Sequence, residues 1–536
     1  MENIPGTALA EGMKWRWETF PEYMNFLSTL QCASDFSVMI GHVPLRLYVM
    51  GKERCHDKPE RKDLVKMRHL VAEAIRAGAL GISTSRTLLH RDLQGVVIPG
   101  SYAGRAELCA LMSGLSDGGG GLFEILDDFA DLKIEMEWIG AVCKAFRCKV
   151  SIALGVGDAK ARKVLLNWMT EVNREVGVDL ISAQSAIRRQ GCLQSLDSQY
   201  HPFVGHPIFQ KELAGLPLKQ RMKKMRKPEM KRRILEIDNQ LWGKPFAAVI
   251  WNPENLYFMC NHHGVPTYER YKSENVASIA EQKDVSPYSI IYDHLSQGGV
   301  LWAPLTGLRQ TFSEENPMLD EMVDIITKPH VHIGLGDGGA HLQIFQEASC
   351  PTFAVAHYSR DRTHGPKIPL ERVVKMLSSD TANLVGMHDR GKLHVGMRAD
   401  INIIDFKRLK VCEPYIANDL PTGAKRWVQR AEGYVMTLCK GVVTYENGTF
   451  TGNLPGRLVK SPLRDKLDVR TVEQIGSVLL SMIPEPRSTH DTLVRDADLK
   501  GGASATVRAL NKNMADLVSA AGDFFSGKMV KGVSKL

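Results

Sequence analysis

The chain predicts an α/β fold built on a parallel sheet or a (β/α)8-type barrel, and two observations carry that prediction. Short apolar segments of strand length alternate with amphipathic segments of helical period along most of the sequence, which is the signature of repeated strand–helix units. The run His330-Val331-His332-Ile333-Gly334-Leu335-Gly336-Asp337-Gly338-Gly339-Ala340-His341 then reads as a strand that delivers one carboxylate into a turn of glycines. Barrel enzymes hold their chemistry at that C-terminal edge of the strands.

Taken in order, the strand-like segments are Leu45 to Met50, Ala79 to Thr84, Leu122 to Leu126, Val150 to Leu154, Leu180 to Gln184 and Val331 to Leu335. After the first of them, Leu64, Met67, Leu70, Val71, Ala74 and Ile75 share one helical face, so a helix is expected there. A long excursion from about 185 to 330 precedes the last strand. Leu393 to Phe406 and Tyr434 to Thr451 read as β-structure. Asn447-Gly448-Thr449 matches a glycosylation sequon, but the flanking strand-like residues favour a hairpin with an Asn-Gly turn. Val507, Leu510, Met514, Leu517, Val518, Ala521, Phe524 and Phe525 form one apolar helical stripe, expected to dock on the main body or on a second copy.

Composition narrows the function classes. The 536 residues include 44% hydrophobic ones, ample for a core, and no apolar run reaches the roughly 18 residues of a membrane span. A cytoplasmic enzyme with no membrane partner is the expectation. Ten cysteines without a C-x-x-C pair point to reduced, buried thiols. The net charge of +8 sits in one place, because residues 219–233 carry nine Lys and Arg against Glu229 alone. No aromatics interleave there to stack bases, so no nucleic-acid partner is expected; Met222, Met225, Ile234 and Leu235 suggest two helices broken at Pro228 with a solvated basic face.

Several stretches together carry a family likeness. They are Gly78-Ala79-Leu80-Gly81-Ile82-Ser83-Thr84-Ser85-Arg86, Ser378-Ser379-Asp380-Thr381-Ala382-Asn383-Leu384-Val385-Gly386 and Asp389-Arg390-Gly391-Lys392-Leu393 running on through Gly396 to Asp405. Ile4-Pro5-Gly6, Trp17-Glu18-Thr19-Phe20-Pro21-Glu22-Tyr23 and Leu454-Pro455-Gly456-Arg457-Leu458-Val459 add to them. From about residue 3 to about residue 460 the sequence resembles the amidohydrolase superfamily, and within it the N-acyl-D-amino-acid deacylase (D-aminoacylase) family. In that family a His-x-His strand and a strand ending in Asn-Cys-Gly precede the Ile-Pro-Gly stretch.

The resemblance implies an incomplete amidohydrolase barrel over 1–390, lacking its first two strands and carrying an insertion at 185–330. It implies the C-terminal part of a small β-sandwich over 391–460, followed by a helical extension over 461–536. It implies hydrolysis of a non-peptide C–N amide bond in a small N-acyl amino acid or related amide, assisted by a divalent metal, usually zinc. This chain alone is expected to do so poorly, because the family's metal ligands are largely absent from it. A non-catalytic relative that binds, and a cyclic-amide hydrolase of dihydroorotase or hydantoinase type, are the alternatives; the Trp-Glu-Thr-Phe-Pro-Glu-Tyr stretch disfavours the second.

Asp337 is the expected catalytic base. Arg86, His90, Gln184, His341, Arg360 and Arg362 are the expected substrate contacts, an Arg fork meeting a carboxylate with two hydrogen bonds. Each has a plainer alternative: an ion-pair cluster for Arg360 and Arg362, a satisfied loop histidine for His90, a buried amide for Gln184. The metal ligands stay unknown. On a strand, His330 and His332 point to the face opposite that of Asp337, and His332 lies roughly 16 Å from it. Asn261-His262-His263 lacks partners at a ligand spacing, and Gly118 to Gly121 are followed by no phosphate-loop lysine. Asp127 and Asp128 follow a strand that in the superfamily often ends in a ligand, although loop capping explains them as well.

Overall fold

The computed structural model describes residues 4–462 apart from 88–89, 93–95, 102, 130, 155–158, 238–250, 305–318, 335, 337 and 339–340. Its centre is a six-stranded parallel sheet of β1 (Ile40–Gly41), β2 (Gly81–Arg86), β3 (Leu122–Asp127), β4 (Lys149–Ala153), β5 (Ile181–Ser185) and β9 (Val331–Ile333), in that spatial order. Five of the six expected strands lie where the apolar runs placed them. Among the described residues β1 and β9 are edges that do not pair with each other, so the sheet is an incomplete (β/α) barrel.

The first strand corrects the sequence reading. Leu45 to Met50 lies inside helix α3 (His42–Arg54), which follows α1 (Gly6–Gly12) and α2 (Phe20–Ser28); only Ile40–Gly41 is strand. His42, Leu45, Arg46 and Met50 are the buried residues of this helix, at helical and not alternate spacing. Pro44 sits in the first turn, where a missing N–H costs nothing.

Helix α4 (Arg61–Ala77) carries the expected stripe, with Met67, Val71, Ala74 and Ile75 buried. A capping box between Glu60 and Asp63 starts it, and Gly78 ends it in the left-handed region at φ 115°, which a side chain would disfavour. Helices α5 (Arg105–Asp117), α6 (Leu132–Phe146) and α7 (Ala159–Val176) follow β2, β3 and β4. One face of the sheet packs on this layer, because alternate strand residues supply the core: Ile82, Phe123, Val150 and Ile181 lie in one lateral row, Thr84, Ile125, Ile152 and Ala183 in the next. That alternation fixes which side chains are left for the opposite, inner face.

The excursion between β5 and β9 builds its own antiparallel sheet, with β8 (Leu301–Pro304) between β6 (Gly191–Gln194) and β7 (Tyr257–Phe258). Around it stand α8 (Pro207–Glu212), α9 (Leu218–Met225) and α10 (Pro228–Leu235), the last two separated at Pro228. The basic stretch forms the solvated face expected of it, with several of its cations paired on the protein's own acceptors. Arg221 donates to the carbonyls of Leu213, Ala214 and Leu216, Lys224 and Arg233 pair with Glu212, and Lys231 pairs with Asp293 at 2.6 Å.

Downstream, Ile401–Ile404, Tyr434–Cys439, Val442–Glu446 and Thr449–Phe450 form a four-stranded antiparallel sheet. Its tight hairpin turns through Asn447 and Gly448, both at positive φ. The chain then returns to its beginning, where Gly456 bridges Cys32 and Ser461 donates to the Gly78 carbonyl at 2.9 Å. The apolar stripe from Val507 to Phe525 lies outside the described residues. Among those described, no helix is long and apolar enough to cross a membrane, and the ten cysteines are free.

Candidate active site at the inner face of the sheet

The alternation that places Ile82 and Thr84 against the helices places Arg86 there too. Arg86 is fully buried, and it reaches Asp127 at 3.1 Å, Glu135 of α6 at 2.9 Å and the Ala103 carbonyl at 3.2 Å. Its guanidinium lies 5.1 Å from the centre of the Trp138 ring, whose indole N–H donates to Glu135. Arg86 therefore ties sheet to helix layer instead of facing the barrel mouth. Asp127 also caps the turn, accepting from the Phe129 N–H at 2.6 Å. Burial, and next the Glu135 carboxylate, raise the Asp127 carboxyl well above the ordinary carboxylate range, against the pull of Arg86.

On the same helix-facing side, His42 bridges Thr84 Oγ1 at 2.8 Å and Glu107 at 2.9 Å, and Arg46 pairs with Glu107. All four side chains are buried. This network was invisible in the sequence because its members come from three elements 65 residues apart at most.

The inner face is polar and lined by small residues. One lateral row is Ser83, Glu124, Ser151 and Ser182; the next, nearer the C-terminal edge, is Ser85, Leu126, Ala153, Gln184 and His332. Gln184 belongs to this face and donates its amide to the Glu124 carboxylate. His90, just past β2, lies 2.8 Å from Ser85 Oγ through Nδ1, which puts it beside the inner row. His332 shares the row with Gln184, and burial lowers the basicity of its imidazole. His330 turns elsewhere, 3.4 Å from Asp179. Asp337 lies outside the described residues. His341, four residues on, has φ 50° and sets its ring edge to face on Phe345 at 5.3 Å.

Arg360 and Arg362 are engaged away from this face. Arg360 chelates Asp361 at 2.6 and 2.7 Å and donates to the carbonyls of Phe406 and Leu409. Arg362, 1% exposed, binds Glu269 at 3.1 Å together with Asp320 and the Pro366 carbonyl. Their donors are spent on protein acceptors, the ion-pair arrangement that was the plainer alternative. Arg362 backs a separate cavity of about 320 Å³, lined by Tyr268, Glu269, Tyr271, Phe353, His357 and His364. There Glu269 also meets His357 at 2.7 Å, and against the effect of burial its hydrogen bonds with His357 and Arg362 hold its carboxyl below the usual value of 4.5. A carboxylate lowered in the folded state adds stability above its unfolded pKa, and that contribution is lost as pH falls through the folded value. Glu269→Gln is accordingly expected to flatten the loss of stability below pH 4.5, read from urea midpoints against pH; an unchanged acid limb would show that the pairing contributes nothing.

The described side chains do not fit a metal. No group of three or more His, Cys, Asp or Glu among them is placed to hold an ion. The inner face offers Glu124 and His332, on β3 and β9, while Asp127 is taken by Arg86. The His262 and His263 rings lie 3.8 Å apart, tilted at 47° to each other, in a turn of the insertion.

Against this geometry, the family model for amidohydrolases matches residues 5–445, spanning the sheet, the insertion and most of the C-terminal sheet. The chain belongs to the amidohydrolase family. Relatives of this amidohydrolase are distant. An uncharacterized protein of Mycobacterium tuberculosis is 23% identical over 480 residues, covering 83% of this chain and 74% of that one. A D-aminoacylase of Alcaligenes xylosoxydans xylosoxydans is 22% identical over 468 residues, covering 85% and 76%. Among solved structures, a D-aminoacylase studied for its binuclear metal center superposes with a TM-score of 0.50 at 19% identity, over 86% of this chain and 79% of that one. At that identity the match speaks for the fold.

Proposed function

We propose that this amidohydrolase cleaves the carbon–nitrogen amide bond of small N-acyl amino acids, in the manner of an N-acyl-D-amino-acid deacylase. What carries the reading is the family match over residues 5–445, with a curated D-aminoacylase among the relatives. In this reading Asp337, after β9, takes a proton from the attacking water and returns it to the departing amine, so that the amide yields a carboxylate and a free amine. His90 and His341 flank the acyl group, and the serine-rich inner face receives the remainder of the substrate. A divalent metal, zinc by kinship with the deacylases, supplies charge stabilisation to such chemistry when bound. No step is assigned to it here, because the described donors do not form its ligand set.

The same donor set favours a second reading, an amidohydrolase relative that binds amides without hydrolysing them. One experiment separates the two. The purified chain is assayed for amine release from a panel of N-acetyl-D- and N-acetyl-L-amino acids, with and without added zinc, cobalt or manganese. Turnover that prefers the D series and needs metal is the expected result; saturable binding of the panel with no amine released would replace the first reading by the second.

A further inference from the structure

The inner face holds a carboxylate that the proposed chemistry does not use. Glu124 is half-buried on β3, and among the described residues its one side-chain partner is the neutral amide of Gln184. Among the described residues no Lys, Arg or His pairs with it. Lys149 lies on the same face but donates to the carbonyls of Asn383 and Leu384, at 3.3 and 3.0 Å. A carboxylate held in a partly dry site without a counter-ion is costly. Two further groups on this face are also unsatisfied. Among the described residues, Ser151, 1% exposed and the lateral neighbour of Glu124, has a hydroxyl with no partner, and His332 Nδ1 is buried without one. The residues flanking Ser151, Val150 and Ile152, face the helices, so its side chain points into the inner face.

An acid, a hydroxyl and a neutral imidazole nitrogen all accept hydrogen bonds, and one cationic group with several N–H donors satisfies them together. We infer that this face is a specificity pocket for a cationic side chain, an ammonium or guanidinium carried by the acyl amino acid, with Glu124 as its counter-charge and Gln184 as the residue that positions that carboxylate. The inference rests on the proposed amide substrate and narrows it to basic amino acids.

The test is titration calorimetry on the full chain with three probes: Nα-acetyl-D-lysine, Nα-acetyl-D-norleucine, which keeps the four-carbon stem without the ammonium, and Nα-acetyl-D-glutamate. The lysine derivative is expected to bind about tenfold or more tightly than norleucine, with glutamate weakest, a tenfold preference corresponding to about 1.4 kcal/mol. Glu124→Gln, which keeps size and the contact with Gln184, should bring the lysine-to-norleucine ratio to about one, and Ser151→Ala should reduce it two- to threefold. Thermal midpoints of both variants establish that they fold. Equal affinities in the parent chain, a preference that survives Glu124→Gln, or no binding of any probe would each overturn the inference. The outcomes stay separable from catalysis. A lysine preference without amine release defeats the proposed hydrolysis and leaves this pocket standing, whereas release from all three probes at equal efficiency does the reverse.

Discussion

Arg86→Met is expected to lower folding stability by about 3–5 kcal/mol, the cost of removing one partner from a buried ion-pair cluster. The guanidinium is fully buried and holds Asp127 and Glu135, each 1% exposed, one from the sheet and one from α6. Methionine fills most of the stem's volume, so packing on Trp138 survives while the charge goes. Asp127 and Glu135 then face each other in a dry site with the Arg86 charge between them gone. That gives the effect a sign in pH. The Asp127 carboxyl is already raised by burial and by Glu135, and without Arg86 it rises further. For an acid whose folded pKa lies above its unfolded one, the stabilising contribution is full below the unfolded pKa and is lost as pH rises through the folded value. The variant should therefore regain part of its deficit between pH 7.5 and pH 5, seen as a narrowing gap between its urea midpoint and that of the parent. A variant as stable as the parent that loses affinity for acyl amino acids would instead return Arg86 to the substrate site.

Arg86 also shows what the sequence could and could not tell. Its place at the end of a strand was legible, but the direction of its side chain was assigned to the mouth without using its neighbours. Ile82 and Thr84, two and four residues back, have the spacing of one face, and an apolar Ile82 on that face belongs against a helix layer. The same rule, applied to Val331 and Ile333, turns His332 inward, and applied to Ile181 and Ala183 it turns Gln184 inward. Five strands were readable because each is a short apolar run followed by an amphipathic helix. Leu45 to Met50 was not, since Leu, Leu and Val alternating with Arg and Tyr satisfy the strand pattern, and only packing of Leu45, Arg46 and Met50 on the core decides for helix. Arg360 and Arg362 exposed a different limit. Their partners Phe406, Leu409, Glu269 and Asp320 lie 42 to 93 residues away, in elements whose placement no local pattern encodes.

Asp337→Asn should separate chemistry from structure in the opposite sense to Arg86→Met. A general base contributes about 10²–10⁴-fold to such a reaction, and asparagine keeps the shape while losing the ability to take a proton. Amine release from the best N-acyl amino acid is expected to fall by that factor in kcat, with KM changed little, because the proton moves only in the transition state. Aspartate and asparagine match in size, so the thermal midpoint is expected to stay close to the parent's. The pH dependence supplies the second readout: the acid limb of kcat/KM, which reports the base in the free enzyme, should disappear in the variant. A loss of turnover matched by an equal rise in KM would make Asp337 a binding group, and full turnover in the variant would place the base elsewhere on the mouth, with His90 beside Ser85 as the next residue to replace.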